Sequence, residues 1–254
     1  MMRVETMNGR NQISQIIASV LVNAVYAMIN YPIMLVNTVL APFSILLVIT
    51  FVSHGSLVGV GIEGALIMTM ISSGVSLQTD LSHLKNDFKL QDMIVSSPTN
   101  ASLYVAGMGL SELVFAVPVI LLLVILAAVY LHPTIVQALI IVCVMMICFA
   151  FSTVLGFLLS TFSSDIVQTW GFSGIVTVLL STIPPVYYPI TYIPLPFRYI
   201  AYLSPTTYAA QIVQGAMGFT ALARSSAVID WAILIMVTLA IFAISIKKAR
   251  WRET

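Results

Sequence analysis

The sequence predicts an all-α polytopic membrane protein with six transmembrane helices, an N-terminal amphipathic interfacial helix and an outer re-entrant helical hairpin between spans five and six. Three observations predict it. Charged residues make up 7% of the 254 residues, against about 25% in an ordinary soluble domain. Six long apolar stretches separated by short polar breaks fill most of the chain, and no Asp, Glu, Lys or Arg falls between Arg10 and Glu63. A run of ~20 apolar residues crosses the ~30 Å hydrocarbon core as a helix, and a helix satisfies its own backbone donors and acceptors there. Third, the basic residues are unevenly placed. With the N-terminus inside, Arg3, Arg10, Lys85, Lys89, Lys247, Lys248, Arg250 and Arg252 are cytoplasmic, leaving only Arg198 and Arg224 outside. That bias sets the orientation, and six crossings bring both termini to the cytoplasmic side of the cell membrane.

The chain divides as one domain, 1–254, in three parts: tail and interfacial helix over 1–31, spans one to four over 32–160, spans five and six over 161–254. In the first part Ile13, Ile16, Ile17, Val20, Leu21, Ala24, Val25 and Met28 recur at helical spacing, with Gln12, Gln15, Ser19 and Asn23 largely on other faces. Such a helix lies along the membrane surface with its apolar stripe in the acyl boundary. A seventh span would put the termini on opposite sides and weaken the charge bias. Tyr31 is turned away from helix by Pro32, where span one begins.

The spans read as Pro32 to Ser53, Ile62 to Thr79, Leu103 to Val129, Ile135 to Ser160, Val167 to Ile183 and Val228 to Ile246. Between spans two and three, the cytoplasmic loop 80–102 holds Asp80, His83, Lys85, Asp87, Lys89 and Asp92. Within it Phe88, Leu90, Met93, Ile94 and Val95 form a short amphipathic helix that stops at Pro98. After span five, Pro184, Pro185, Pro189, Pro194, Pro196 and Pro205 crowd a Tyr-rich stretch. Proline that dense breaks helices repeatedly, and tyrosine suits a membrane interface. With the short helix Thr206 to Met217, the segment 184–218 reads as a broken re-entrant hairpin covered by protein.

Several signals carry no chemistry. Gly59-Val60-Gly61-Ile62-Glu63-Gly64 matches a dinucleotide fingerprint by letters alone, but it enters a span from an outer loop, and the fingerprint needs a preceding strand. Gly171-Phe172-Ser173-Gly174 resembles the serine motif of rhomboid proteases, yet His54, His83 and His132 all precede Ser173 and sit in or beside loops, leaving no base for a nucleophile. No phosphate-binding GxxxxGK[ST] loop occurs, no metal-ligand cluster, and no basic stripe for nucleic acid. Cys143 and Cys148 face different directions within span four and read as packing residues. Glu63, Asp165 and Asp230 fall near predicted helix N-termini, where an acid complements the dipole. Glu112 differs: nine residues into span three, it lies ~13 Å deep. Two readings stand for it, a glutamate bonded to a neighbouring helix or one lining a substrate or ion cavity.

Two stretches together resemble the membrane subunits of type-2 ABC exporters, the class that includes drug-resistance, polysaccharide and lipid export permeases. Phe88 to Leu110, FKLQDMIVSSPTNASLYVAGMGL, is similar to their coupling loop. Ser181 to Met217, STIPPVYYPITYIPLPFRYIAYLSPTTYAAQIVQGAM, is similar to their proline-rich outer hairpin and its aromatic Leu-Ser/Asn-Pro-Thr-Tyr turn. Thr161 to Thr169, with Asp165, sits where the family places its span four to five connection. The chain departs from the family at Pro185-Val186-Tyr187-Tyr188-Pro189, where Gly-Val-Phe-Phe-Pro is frequent, and at Gln214, where Arg is frequent.

The resemblance implies a division of labour. The chain is not itself an enzyme and binds no cofactor; ATP and Mg belong to a separate ATP-binding subunit, and two membrane subunits, a second copy or a paralogue, form the pathway across the bilayer. The coupling helix would seat Phe88, Met93 and Ile94 in that subunit, fix its register with Lys89, Gln91 and Asp92, and end at Pro98. The outer gate would comprise Pro185, Tyr187, Tyr188, Pro189, Pro205 and Tyr208. A mostly apolar lining with scattered Ser, Thr and Met suits an amphipathic, drug-like or lipid-like exported substrate. The alternatives are a stand-alone secondary transporter or channel, which predicts internal repeats and spans broken near the midplane, and an intramembrane enzyme, which lacks its base.

Overall fold

The computed structural model describes residues 9–86, 101–163, 165–221 and 223–248. Phe88, Lys89, Gln91, Asp92, Met93, Ile94 and Pro98 lie outside the described residues. The described residues are helical apart from turns and the outer segment. Helix α1 (Gly9–Val20) continues through a π-helical turn (Leu21–Val25) into α2 (Tyr26–Asn30), and α3 (Pro32–Val52) follows with Pro32 in its first turn. Then come α4 (Val58–Asn86), α5 (Ala101–Leu131), α6 (Ile135–Phe162) and α7 (Ile166–Ser181). A 3-10 turn (Ile190–Tyr192), the one-turn α8 (Arg198–Ala201), α9 (Pro205–Ala216) and α10 (Arg224–Lys248) complete the chain.

Six helical stretches are long and apolar enough to cross a membrane. They include Gln12–Asn30 and exclude Ile166–Ser181, so length alone does not reproduce the six spans read from the sequence. Helix α7 has 16 residues, about 24 Å at 1.5 Å per residue. Its apolar run extends to Ile183, but Pro184 and Pro185 end the helix first.

Helix α4 is the trunk of the fold, packing most on α6 and then on α5, α7 and α3. Close approach to α6 comes from small residues. A Cβ added at Gly74 would lie 2.6 Å from the Thr153 nitrogen, and one at Gly156 would lie 2.7 Å from the Gly74 carbonyl oxygen. Ser152 Oγ also donates to the Met70 carbonyl across the same seam (3.1 Å). Small residues that let backbones approach are how helices gain dispersion contact where lipid removes the hydrophobic drive.

The glycine triplet near the start of α4 belongs to the helix and not, as the sequence suggested, to a loop entering it. Gly59 faces Phe219 and Leu131, Gly61 faces Leu46, and Gly64 faces Val186 and Tyr187. Each leaves room for a different neighbour. The predicted dipole role of two acids is also corrected. Helices α4 and α10 each begin four residues earlier than predicted, so Glu63 and Asp230 fall beyond the first turn. Asp165 keeps its predicted place as the N-cap of α7, accepting from the Gln168 N–H (2.7 Å).

Turns between the helices are locally closed. After α3, the Gly55 N–H bonds the Thr50 carbonyl and the His54 N–H bonds the Phe51 carbonyl, a Schellman pair, with His54 at φ 50° and Gly55 at φ 83°. Thr134 and Gln137 form a capping box at the start of α6. Cys148 is buried and Cys143 exposed, as their spacing predicts.

The α1–α2 stretch packs on α5 through its polar residues. Asn23 Nδ2 donates to the Ser19 carbonyl (3.0 Å) and to Met108 Sδ (3.3 Å), and Ser19 Oγ lies 3.5 Å from Ser111 Oγ. Ile13, Ile17, Leu21 and Val22 are exposed. Ile16, Val20, Val25 and Met28 are half-buried and Ala24 is fully buried, so the apolar stripe is only partly turned away from the bundle.

Candidate functional site

Between Ala65 and His83, every residue of α4 that is not buried is polar: Ser72, Ser73, Ser76, Thr79, Asp80 and His83. Their spacing is that of one helical face. Elsewhere in this stretch α4 is covered, with Leu66, Ile67, Ile71 and Leu77 almost wholly out of solvent. Hydroxyls and a carboxyl on the open side of an otherwise buried apolar helix have no place against lipid tails, where they mark water-lined or protein-covered paths.

Glu112, the deep acid of the third predicted span, borders this stripe from α5. Ser76 Oγ donates to its Oε2 at 2.5 Å, and the Asp80 carboxyl lies close beside it. The reading of Glu112 as bonded to a neighbouring helix matches this contact, and that helix presents an open polar face. Asp80, read as the start of a loop, lies inside α4, whose helix runs on to Asn86.

Of the residues expected to form an outer gate, Pro185, Tyr187 and Pro189 are buried, while Tyr188, Pro205 and Tyr208 are half-buried. Val186 and Tyr187 pack beside Gly64, where an added Cβ would meet the Val186 carbonyl oxygen at 2.5 Å. Gly64 is the seventh residue of α4, about 9 Å along from its start. Residues 184–189 thus pack into the bundle, whereas Tyr192, Leu195, Phe197, Tyr199 and Leu203 are exposed. The Leu195–Pro196 peptide is cis.

Prolines leave carbonyls without their usual helical or ladder donors, and the structure supplies others. Gln214, buried on α9, donates from Nε2 to the Pro185 carbonyl (3.2 Å) and the Tyr188 carbonyl (3.4 Å). The Ser-Pro-Thr-Thr-Tyr turn works the same way. Thr206 Oγ1 donates to the Leu180 carbonyl at the end of α7 (2.8 Å), Thr207 to the Ala201 carbonyl, and Tyr208 Oη to the Tyr202 carbonyl (2.8 Å). Arg198 Nη2 reaches the Thr191 and Ile193 carbonyls (3.2 and 3.1 Å). At the last residue of α9, the Ala216 carbonyl accepts from Gln137 Nε2 of α6 (3.0 Å).

Around α9 some buried polar atoms have no protein partner: both carboxyl oxygens of Glu63, Nε2 of Gln211 and Oδ2 of Asp230. Glu63 is 1% exposed. Such groups are uncommon in folded proteins and ask for a functional or solvent explanation.

A third polar cluster joins α4 to α7. Gln78, fully buried on α4, donates from Nε2 to Ser163 Oγ and to the Thr169 carbonyl, and its Oε1 accepts from Ser173 Oγ, all at 3.3 Å. One turn on, Thr169 Oγ1 donates to Ser82 Oγ (2.9 Å). Ser173, whose motif resembles that of a hydrolase, is engaged here in packing α7 on α4. Among the described residues no group of three or more His, Cys, Asp or Glu could hold a metal ion.

Sequence reasoning missed Gln78, Gln214, the Thr206 and Thr207 pair, and the stripe on α4. The available signal was a strongly polar side chain inside an apolar helix, present at Gln78 and repeated at Ser72, Ser73 and Ser76. In comparisons with known proteins, a family model described as ABC-2 type transporter matches residues 13–218. No curated protein matches the chain.

Proposed function

Because the chain belongs to the ABC-2 type transporter family, whose members form the membrane domain of ABC transporters, we propose that it is the permease subunit of an exporter. ATP and Mg are bound and hydrolysed by a separate subunit, and a second permease copy or paralogue completes the pathway. The open polar stripe on α4, with Glu112 at its edge, is the observation that carries this reading. A serine- and threonine-rich face on the most enclosed helix needs water or a facing subunit, and both are present where two permeases enclose a path.

The substrate is amphipathic, drug-like or lipid-like: hydroxyls and two carboxyls line one side of the stripe, with apolar helix surface around it. Docking of the ATP-binding subunit falls to residues 87–98, through Phe88, Met93 and Ile94 with Lys89, Gln91 and Asp92 fixing register and Pro98 ending the contact. Closing of two nucleotide sites would press on this loop and tilt α4 with it. The outer segment, with Pro185, Tyr187, Tyr188, Pro189, Pro205 and Tyr208, forms the outer gate. Both termini face the cytoplasm of a cell membrane, and α1–α2 lies at its inner surface.

The test is copurification. The chain extracted from its native membrane in mild detergent is expected to bring down a soluble protein carrying a phosphate-binding loop, with ATPase activity altered by the permease. A chain that purifies alone, and moves solutes in liposomes without ATP, would replace this reading with that of a stand-alone transporter.

A further inference from the structure

Helix α7 is unlike its neighbours in how it is held. It packs chiefly on α4, with minor contact to α6 and α9, and Val167, Trp170, Ile175, Val178 and Leu179 along it are exposed. Nothing lies within 4 Å of where a Cβ would stand on Gly171 or Gly174. Its hydrogen bonds to α4 lie in and just before its first half, where Gln78 and Ser82 of α4 bond Ser163, Thr169 and Ser173. At the other end, the Leu180 carbonyl accepts from Thr206, the second residue of α9.

The attachment to α4 is a junction of three elements: α4, the residue that follows α6, and the first two turns of α7. Gln78 uses both amide hydrogens and its carbonyl oxygen there, so replacing it by an apolar residue frees three partners at once. Such a network is worth more together than pairwise bonds suggest. Gln78 stands eight residues before Asn86, the end of α4, about 12 Å of rigid helix. Beyond Asn86 begins the segment assigned above to docking.

We propose that the buried junction of Gln78, Ser82, Ser163, Thr169 and Ser173 is the joint that passes movement of α4 to α7, which carries it as a rod to the outer segment through the Leu180–Thr206 bond. Gln78 is then a positioning residue for the transport cycle, on the buried side of α4 and not part of its open polar stripe. From Thr206 the connection continues along α9 to Gln214, which holds the Pro185 and Tyr188 carbonyls. Docking side and outer segment are thus joined by two short sets of hydrogen bonds and two rigid helices. Spatial continuity alone does not establish coupling, so the joint must be broken and remade in one protein.

This inference rests on the permease reading, and the experiment separates the two. In a background with Cys143 and Cys148 replaced by alanine and Gln78 by leucine, so that the rest of the junction is already broken, Ser82→Cys and Thr169→Cys put thiols where two hydroxyl oxygens stand 2.9 Å apart, within reach of a disulfide after a small shift. The purified complex with its ATP-binding subunit, in lipid nanodiscs, is compared reduced and oxidised. The readout is amide hydrogen exchange over 184–204 before and after trapping with ATP and vanadate. Oxidised, the pair replaces the joint covalently, and trapping is expected to change exchange in 184–204 as in the natural chain. Reduced, the same protein still hydrolyses ATP but its outer segment no longer responds. Gln78→Leu, tested beside it, is expected to behave like the reduced form.

An equal response in both redox states, or a response lost on oxidation, overturns the proposal. So does failure of both variants to assemble in either state, which would make the junction structural only. If the natural chain brings down no ATP-binding subunit, the permease reading itself fails.

Discussion

At the scale of single residues, the depth of Glu112 and the crowding of prolines were legible because each is a local anomaly, an acid in an apolar run or helix breakers in series. The partners were not legible. Gln214 meets carbonyls 26 and 29 positions away, and only the fold reveals that they need a donor. Gln214→Leu leaves the Pro185 and Tyr188 carbonyls buried without it, at about 1–3 kcal/mol for each group. The expected result is a lowered thermal unfolding midpoint in detergent and faster amide exchange over 184–189, while Gln214→Arg, which restores donors, retains more of both. Glu112→Gln is expected to assemble and to hydrolyse ATP with the partner but to export more slowly. Gln keeps an acceptor for Ser76 and loses the ionisable group beside Asp80. Export at the natural rate would leave Glu112 a packing residue only.

At the scale of elements, the helices themselves follow from uninterrupted apolar runs, and their order was read correctly. Their ends were not. Helix α4 starts at Val58 and α10 at Arg224, because glycine and serine at a helix start look like loop when hydropathy is the guide. The seam between α4 and α6 was equally hidden, since a glycine in a span is silent until its neighbour is known. Gly74→Val would force a side chain against the Thr153 nitrogen and Ser152. Overpacking of this kind costs on the order of 1–3 kcal/mol, and where backbone must yield the upper end is expected, measured as a loss of monodisperse protein on size exclusion and a lower unfolding midpoint. Met93→Glu and Ile94→Asp address the docking segment. Breaking desolvated contacts at an interface costs on the order of 2–5 kcal/mol, so both variants should insert normally yet fail to bring down the ATP-binding subunit. A charge at Ala223, in the turn before α10, should do neither. Copurification unchanged by Met93→Glu would refute the docking assignment.

At the scale of the whole molecule, the membrane class was legible, and so was the family pattern that matches residues 13–218, because bilayer thickness and backbone satisfaction leave a chain few choices. What the pattern does not decide is which stretch crosses, since Gln12–Asn30 has the length and Ile166–Ser181 lacks it. Orientation is tested with single cysteines at Ser56, Asn100 and Ala223 in a background without Cys143 and Cys148. Ser56 and Ala223 should react with a membrane-impermeant thiol reagent on intact cells and Asn100 should not; labelling of Asn100 would reverse the topology. The brevity of α7 has a consequence for the lipid itself. With 16 residues it falls roughly 6 Å short of a ~30 Å hydrocarbon layer. Where α7 serves as a span, lipid beside its Leu180 end must thin, or headgroups and water must sink toward it, and such mismatch carries a modest free-energy penalty per ångström. Bilayers of longer acyl chains would therefore press on the outer segment while shorter ones relieve it, making the thickness of the surrounding membrane a tuning variable for the protein that sits in it.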